Sequence, residues 1–314
     1  MTIANIVCLV LIIVFGILCN AFGLTFILRH DAERTLKDKI IAILCIMNAS
    51  QSLGYAIELH AAIKNQSTKG FCEAAAFIVC SLTYTSIGYF VALTIERCIT
   101  ITLPFMYVAW FSNNNKTWWL CVPPICGLFL GAAPLFGWGR YGHSRETSSH
   151  CSFDFYVGDV ESMRSYFLFA VFCSFVIPLI ITSVCFTRIL IELRRTALEA
   201  KRKYGKASNI SRASSNSIRE QGLSCLLTGF VYVASWVPYT IVCFRFYVND
   251  PVSITFEHAA IYLSKSSTIS SPIVYCLIER RFRVFVKEKI TRNNSWNLQM
   301  TKMKPMLHTD VTNV

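Results

Sequence analysis

Lys265 is the one charged residue in IYLSKSSTISSPIVY, residues 261–275. If that stretch crosses a bilayer, a charge near its middle costs roughly 2.5–3.5 kcal/mol on insertion scales, and a residue kept there points to function. A desolvated lysine favours its neutral, nucleophilic amine, the form that condenses with an aldehyde to a Schiff base. Glu58, in Gly54-Tyr55-Ala56-Ile57-Glu58, is a carboxylate embedded in another apolar run and is costly to keep without a partner. Glu96-Arg97 closes a third apolar run, where such a pair is by itself an ordinary snorkelling anchor. No nucleotide-binding loop, metal-ligand cluster or hydrolase triad is present in the sequence.

The elements that must position these residues are long and apolar. Only 15% of the 314 residues are charged, against about a quarter in soluble domains. Apolar residues concentrate in seven runs, at 3–28, 40–57, 77–95, 118–138, 166–187, 223–244 and 259–278. Each is long enough to cross a hydrocarbon core of roughly 30 Å as a helix. The fold class is therefore an all-α membrane protein, a bundle of seven transmembrane helices. Lys265 precedes Tyr275 by ten residues, which places it about 15 Å from that end of its helix, at mid-membrane.

Lys and Arg crowd one set of connections: Arg29, Arg34, Lys37 and Lys39; Arg194 to Arg219; Arg280 to Arg292. The positive-inside rule puts those in the cytoplasm and the N-terminus outside. The net charge of +12 then faces anionic lipid and cytosolic proteins and requires no nucleic acid. The first run is too long for a signal-peptide core and lacks a small-residue cleavage site, so it is expected to stay as a span. Asn65-Gln66-Ser67 is a possible glycosylation acceptor on an outer loop. Of the 14 cysteines most lie within spans as small apolar filler. Cys72 and Cys151 lie at the outer, oxidising face and are expected to form a disulfide that ties a loop across the bundle mouth.

Asn20 in the first span, Glu96-Arg97-Cys98 ending the third, Trp236-Val237-Pro238-Tyr239 in the sixth and Ser271-Pro272-Ile273-Val274-Tyr275 ending the seventh come in order at the right ends. Cys72 precedes Glu96 by 24 residues, about 36 Å of helix, so the two mark opposite ends of one span. ERRFRVFVKEKI (279–290) reads as a short basic amphipathic helix on the inner membrane surface. With these motifs the chain resembles the rhodopsin-like G-protein-coupled receptors over residues 1–290, with 291–314 a cytoplasmic, disordered tail. The Lys265 segment looks like the retinal-attachment segment of opsins, and Gly137-Trp138-Gly139-Arg140-Tyr141 resembles their second outer loop. The stretch around Glu58 is similar to that of some cnidarian opsins.

That resemblance implies 11-cis-retinal bound covalently to Lys265. Trp236 and Tyr239 project from one face of the sixth helix, with Tyr232 one turn from Trp236. By resemblance Phe175, Cys80, Thr83 and Phe153 complete the slot. A protonated Schiff base needs a buried anion. Many visual opsins place it three residues after the third-span cysteine, which here is Ala75. Glu73 is turned about 200° away. Glu58 ranks first as the counterion and Glu146, in the second outer loop, second.

The resemblance implies a light-activated receptor in the plasma membrane, not an enzyme, whose partners are a heterotrimeric G protein, arrestin and a receptor kinase. Glu96, Arg97 and Tyr275 form its cytoplasmic switch, and the serine-rich segment 201–220 is expected to be a mobile contact and phosphorylation loop. The chain departs from the family pattern at Ser271, Phe186, Pro124, Cys98 and Asn48, so the switch is reduced. Two other functions stay open at this point: a retinal photoisomerase, and a receptor for a diffusible ligand with an incidental lysine.

Overall fold

A computed structural model describes residues 3–269 except 31–35, 65–67, 112, 144–150, 155–159, 207, 249 and 251. The described residues lie in one compact unit, Met1–Pro272. Tyr275, the expected amphipathic helix 279–290, the tail and Glu146 lie outside them.

The chain runs α1 (Ile3–His30), α2 (Leu36–Ile63), α3 (Lys69–Thr102), the short α4 (Pro104–Trp110) and α5 (Asn113–Ala132). A hairpin follows, β1 (Tyr141–His143) and β2 (Cys151–Phe153), and then α6 (Val160–Val171). A π-helical turn at Phe172–Val176 joins α6 to α7 (Ile177–Tyr204) as one continuous span; α8 (Asn209–Tyr247) and α9 (Ile254–Lys265) complete the order. Among the described residues six segments are long and apolar enough to cross a membrane: 3–29, 36–61, 69–102, 117–136, 161–204 and 229–247. The seventh expected span is described through its first half, α9 and residues up to Ile269.

The distribution of polarity is that of a protein in lipid. Leu11, Phe15, Leu18 and Phe22 form a stripe at helical spacing on α1 that is left exposed, while Asn20, Asn48, Gln51, Ser52, Glu58, Thr85 and Ser235 are buried in the bundle. Polar groups buried in hydrocarbon must find partners within the protein. Asn20 Nδ2 donates to the carbonyls of Gly16 (2.7 Å) and Thr268 (3.0 Å), tying α1 to the segment that follows α9. Close helix approach is set by small residues: a Cβ at Gly127 or Gly131 of α5 would collide with Thr85 and Ser81 of α3.

Proline adds a second demand, because it cannot donate to the carbonyl four residues back. Three of these freed carbonyls receive a tyrosine hydroxyl from a neighbouring element. Tyr89 donates to Leu120 O ahead of Pro124 (2.7 Å), Tyr166 to Leu130 O ahead of Pro134 (2.9 Å), and Tyr232 to Ser174 O ahead of Pro178 (2.7 Å). Proline irregularity and tyrosine placement thus cross-link the bundle.

The hairpin lies against one end of α3. Its register pairs Tyr141 with Phe153 and His143 with Cys151, and the expected Cys72–Cys151 disulfide is present, with the Cα atoms 5.1 Å apart. Gly139, at φ +88°, leads into β1 where any side chain would strike the Tyr166 ring.

The serine-rich segment 201–220 is a correction. It is not an open loop: α7 continues to Tyr204 and α8 begins at Asn209. Ser208 caps the N-terminus of α8 through the Ser211 amide (3.1 Å), and Ser211 Oγ donates to Gly205 O (2.6 Å). Serine here serves as a helix cap, a use that its abundance in loops conceals.

Candidate functional site

Lys265 ends α9. A turn at Ser266 interrupts the helix before residues 267–269 resume it, and Thr268 Oγ1 donates back to the Lys265 carbonyl (2.9 Å). The Lys265 side chain reaches across the bundle to α2, where its Nζ lies 3.2 Å from Glu58 Oε2. The lysine side chain is 11% exposed and the glutamate 1%. Two charges so far from water are tolerable only as a pair, and removing one member of such a pair typically costs about 3–5 kcal/mol. Glu58 Oε1 has no hydrogen-bond partner among the described residues, so the carboxylate keeps an acceptor in reserve.

The pair does not stand alone. The Tyr55 ring lies with its centroid 4.1 Å from Lys265 Nζ. The Tyr55 hydroxyl also lies close to Thr83 on α3, and Thr83 Oγ1 donates to Gln51 Oε1 at 3.1 Å. Gln51 Nε2 continues to Ser86 Oγ (2.9 Å). Gln51, Tyr55 and Glu58 are spaced four and three apart, hence on one face of α2. The sequence reading singled out Glu58 and Thr83 but not Tyr55 or Gln51, although that spacing was legible in the chain.

The other residues expected around the site fall into two groups. Phe153, buried on β2, stacks with Tyr141 (centroids 5.4 Å apart) and meets Tyr166. Cys80 and Tyr239 pack against this same cluster, beside Cys72 and Ala76, and Ala75 borders it. Deeper along the bundle, Tyr232 is stacked between Phe90 of α3 (5.2 Å, 7°) and Phe175 of the π turn (6.1 Å, 13°). Phe90 is a partner the sequence reading did not name. Trp236 lies one turn further along α8, half-buried, two residues before Pro238. Glu73 pairs instead with Lys69 at the end of α3 (3.8 Å). A further buried carboxylate not singled out in the sequence, Glu257, lies on α9 within electrostatic reach of Tyr239 and Cys243.

At the opposite end of α3, Glu96 is buried beside half-buried Arg97. Thr100 Oγ1 donates to Glu96 O (2.8 Å) and meets its carboxylate at 3.4 Å. Tyr107, from α4, lies within electrostatic reach of the same carboxylate, and its ring packs through Phe111 onto Trp119. Burial, and after it the Glu96 charge, pushes the Tyr107 hydroxyl above its ordinary value, so it stays a donor.

Residues 19–275 match the family model described as 7 transmembrane receptor (rhodopsin family). Melanopsin-B of Xenopus laevis is 28% identical over 70% of this chain and 41% of its own length. The GQ-coupled rhodopsin of Mizuhopecten yessoensis is 26% identical over 70% of the chain and 45% of its own length. The chain thus matches less than half the length of these two relatives. The human visual pigment-like receptor peropsin is 23% identical over 93% of the chain and 85% of its own length. Squid rhodopsin shares the fold, with a TM-score of 0.75 at 21% identity, over 94% of this chain and 85% of its own.

Proposed function

This chain belongs to the rhodopsin family of seven-transmembrane receptors, and on that premise we propose that it is an opsin, a light-activated G-protein-coupled receptor carrying 11-cis-retinal on Lys265. The observation that carries the proposal is the buried Lys265–Glu58 pair at 3.2 Å. A diffusible-ligand receptor has no need of a buried primary amine beside a buried carboxylate, whereas covalent capture of an aldehyde needs both: a nucleophile, and an anion to hold the charge that follows.

The residues present suit such a group. Lys265 Nζ is mostly withdrawn from water, and Glu58 offers one oxygen to that nitrogen while its second remains an unengaged acceptor. Retinal, joined to Lys265 as a Schiff base, supplies visible-light absorption and a change of shape on isomerisation. Glu58 compensates the positive charge on the nitrogen, and Glu146 is the second residue proposed for that task. Cys80, Thr83, Phe153, Phe175, Tyr232, Trp236 and Tyr239 are proposed to line the slot and set its shape. Trp236 sits where Pro238 weakens α8, so pressure on its ring is carried into the part of that helix able to swing.

Orientation follows from the Lys/Arg asymmetry: N-terminus extracellular, C-terminus cytoplasmic, in the plasma membrane. Glu96, Arg97 and Tyr275 would then form the inner switch, facing a heterotrimeric G protein, with arrestin and a receptor kinase as later partners. Retention of Glu96 and Arg97 favours signalling over a photoisomerase. The test is expression, addition of 11-cis-retinal and a dark-minus-light spectrum, followed by nucleotide exchange on a G protein in light and darkness. A visible pigment that activates exchange only when illuminated is the expected result. Absence of any pigment overturns the opsin reading; pigment with light-driven release of retinal and no exchange transfers the protein to the isomerases.

A further inference from the structure

The Lys265 ammonium meets two things on α2, not one. Glu58 supplies charge, and Tyr55, three residues earlier on the same face, turns its ring toward Nζ with the centroid at 4.1 Å. That is well inside the roughly 6 Å over which a ring face attracts a cation, and the attraction grows when both groups are desolvated. Tyr55 is itself buried at 3% exposure. The ring is not loose. Its hydroxyl sits beside Thr83, which donates to Gln51 Oε1, and the Gln51 amide donates to Ser86. Its flank packs in a cluster with Leu9, Ile12, Leu59, Val79 and Tyr262. The flank of the ring is therefore packed inside the bundle while its face is left to the cation.

We propose that Tyr55 is a second holder of the positive charge at Lys265 Nζ, a positioning residue that stabilises the charged nitrogen through its ring face and independently of Glu58. Resting on the reading that Lys265 carries retinal, the proposal assigns Tyr55 a role in the pigment's charge state. The division of labour is physical. A carboxylate compensates the cation only while ionised, whereas a ring face attracts it without needing a charge of its own. Among the described residues the other titratable groups near the nitrogen are few. Cys80 of α3 lies within electrostatic reach of both Lys265 and Glu58. On α9 itself, Glu257 acts on Tyr239 and Cys243 of α8, and Tyr262 packs in the Leu9 cluster near Cys8 of α1.

The experiment uses the full chain with and without retinal. Reconstituted with 11-cis-retinal, Tyr55→Leu should lose its visible band to alkali about one pH unit earlier than the parent, the shift expected of a buried cation–π contact. Tyr55→Phe, which keeps the face and drops the hydroxyl, should stay within a few tenths of a unit. Fluorinated phenylalanines at position 55 keep the shape while emptying the ring face, and should move the midpoint stepwise to lower pH with each fluorine. This series decides the matter even if Tyr55→Leu fails to fold; a flat series overturns the proposal.

In the retinal-free protein, carbon-13 labelling of lysine gives a readout free of pigment. The Lys265 ε-proton signal, identified by its loss in Lys265→Ala, should lie upfield from the ring current, remain in Tyr55→Phe and return to the ordinary position in Tyr55→Leu. An unshifted signal in the parent overturns the contact. If the parent forms no pigment while its signal is shifted, the opsin reading fails and the hold of Tyr55 on the cation stands.

Discussion

Glu58 on α2 and Glu96 on α3 are buried in this bundle to nearly the same degree, and they are kept there by different means. Glu58 has one cation, Lys265 at 3.2 Å, and an oxygen with no described partner. Glu96 is served by the hydroxyl of Thr100, with Tyr107 of α4 and Lys37 and Asp38 of α2 close enough to act on it. A carboxylate at mid-membrane that relies on a single counter-charge gives all-or-none behaviour when that charge goes. A carboxylate near a helix end that shares several polar neighbours gives graded behaviour, because neutral donors rearrange at small cost.

The largest effect should come from breaking the deep pair at its nucleophile. Lys265→Ala and Lys265→Arg should both abolish covalent pigment, since neither offers a primary amine. Lys265→Ala should also cost the retinal-free protein about 3–5 kcal/mol by leaving Glu58 uncompensated. Borohydride trapping of labelled retinal reads the first, and thermal denaturation in detergent the second. A borohydride-stable adduct in Lys265→Ala would sink the assignment.

Glu58→Gln should come next. An opposite charge favours the protonated nitrogen and desolvation disfavours it, so with the carboxylate gone the nitrogen loses its proton at a lower pH. The dark pigment at neutral pH should therefore absorb in the near-ultraviolet and regain its visible band on acidification. Glu73→Gln, whose carboxylate pairs with Lys69 at the end of α3, should change little, and Glu146→Gln should have an intermediate effect at most. If Glu58→Gln keeps its visible band into mildly alkaline pH while Glu146→Gln loses it, the counterion is the loop residue.

Glu96→Gln sharpens the contrast from the other side. The absorption maximum should not move, and stability should change by less than about 2 kcal/mol, because an amide can still accept from Thr100. A spectral shift in this variant would erase the distinction between the two sites.

Tyr107→Phe should be the smallest change, at most about 1 kcal/mol for the loss of one polar contact. Burial raises the Tyr107 hydroxyl above its ordinary value. A raised group contributes stability that is fully present below its unfolded-state value and lost only as pH climbs through the folded one. The stability difference between parent and variant should thus be constant from pH 7 to 9, as measured by denaturant unfolding at each pH.

Much of this was legible in the chain because hydrocarbon is a strict solvent. Seven apolar runs, the lone Lys265 and the carboxylate at Glu58 stand out by composition alone, and the Cys72–Cys151 bridge follows from which cysteines are left at the outer end. The serine-rich segment misled because serine is common both in loops and at helix N-caps; Ser208 and Ser211 act as a cap and a turn clasp. Tyr55 was passed over because an aromatic in an apolar helix is ordinary filler until something charged is brought to its face. The tyrosines that answer Pro124, Pro134 and Pro178 were invisible for a related reason. Each proline announces a freed carbonyl, but nothing local says which hydroxyl 31, 36 or 58 residues away will take it.

The amino-acid sequence by itself determined the solvent, the seven-helix class and the two residues whose burial demands chemistry, since those follow from transfer free energies that depend on residue type. Only the tertiary structure decided that Lys265 and Glu58, 207 positions apart, meet at 3.2 Å under the face of Tyr55. Helix periodicity fixes which residues share a face of one helix, but which faces oppose one another depends on close approach at glycines, freed carbonyls and the packing of the bundle as a whole.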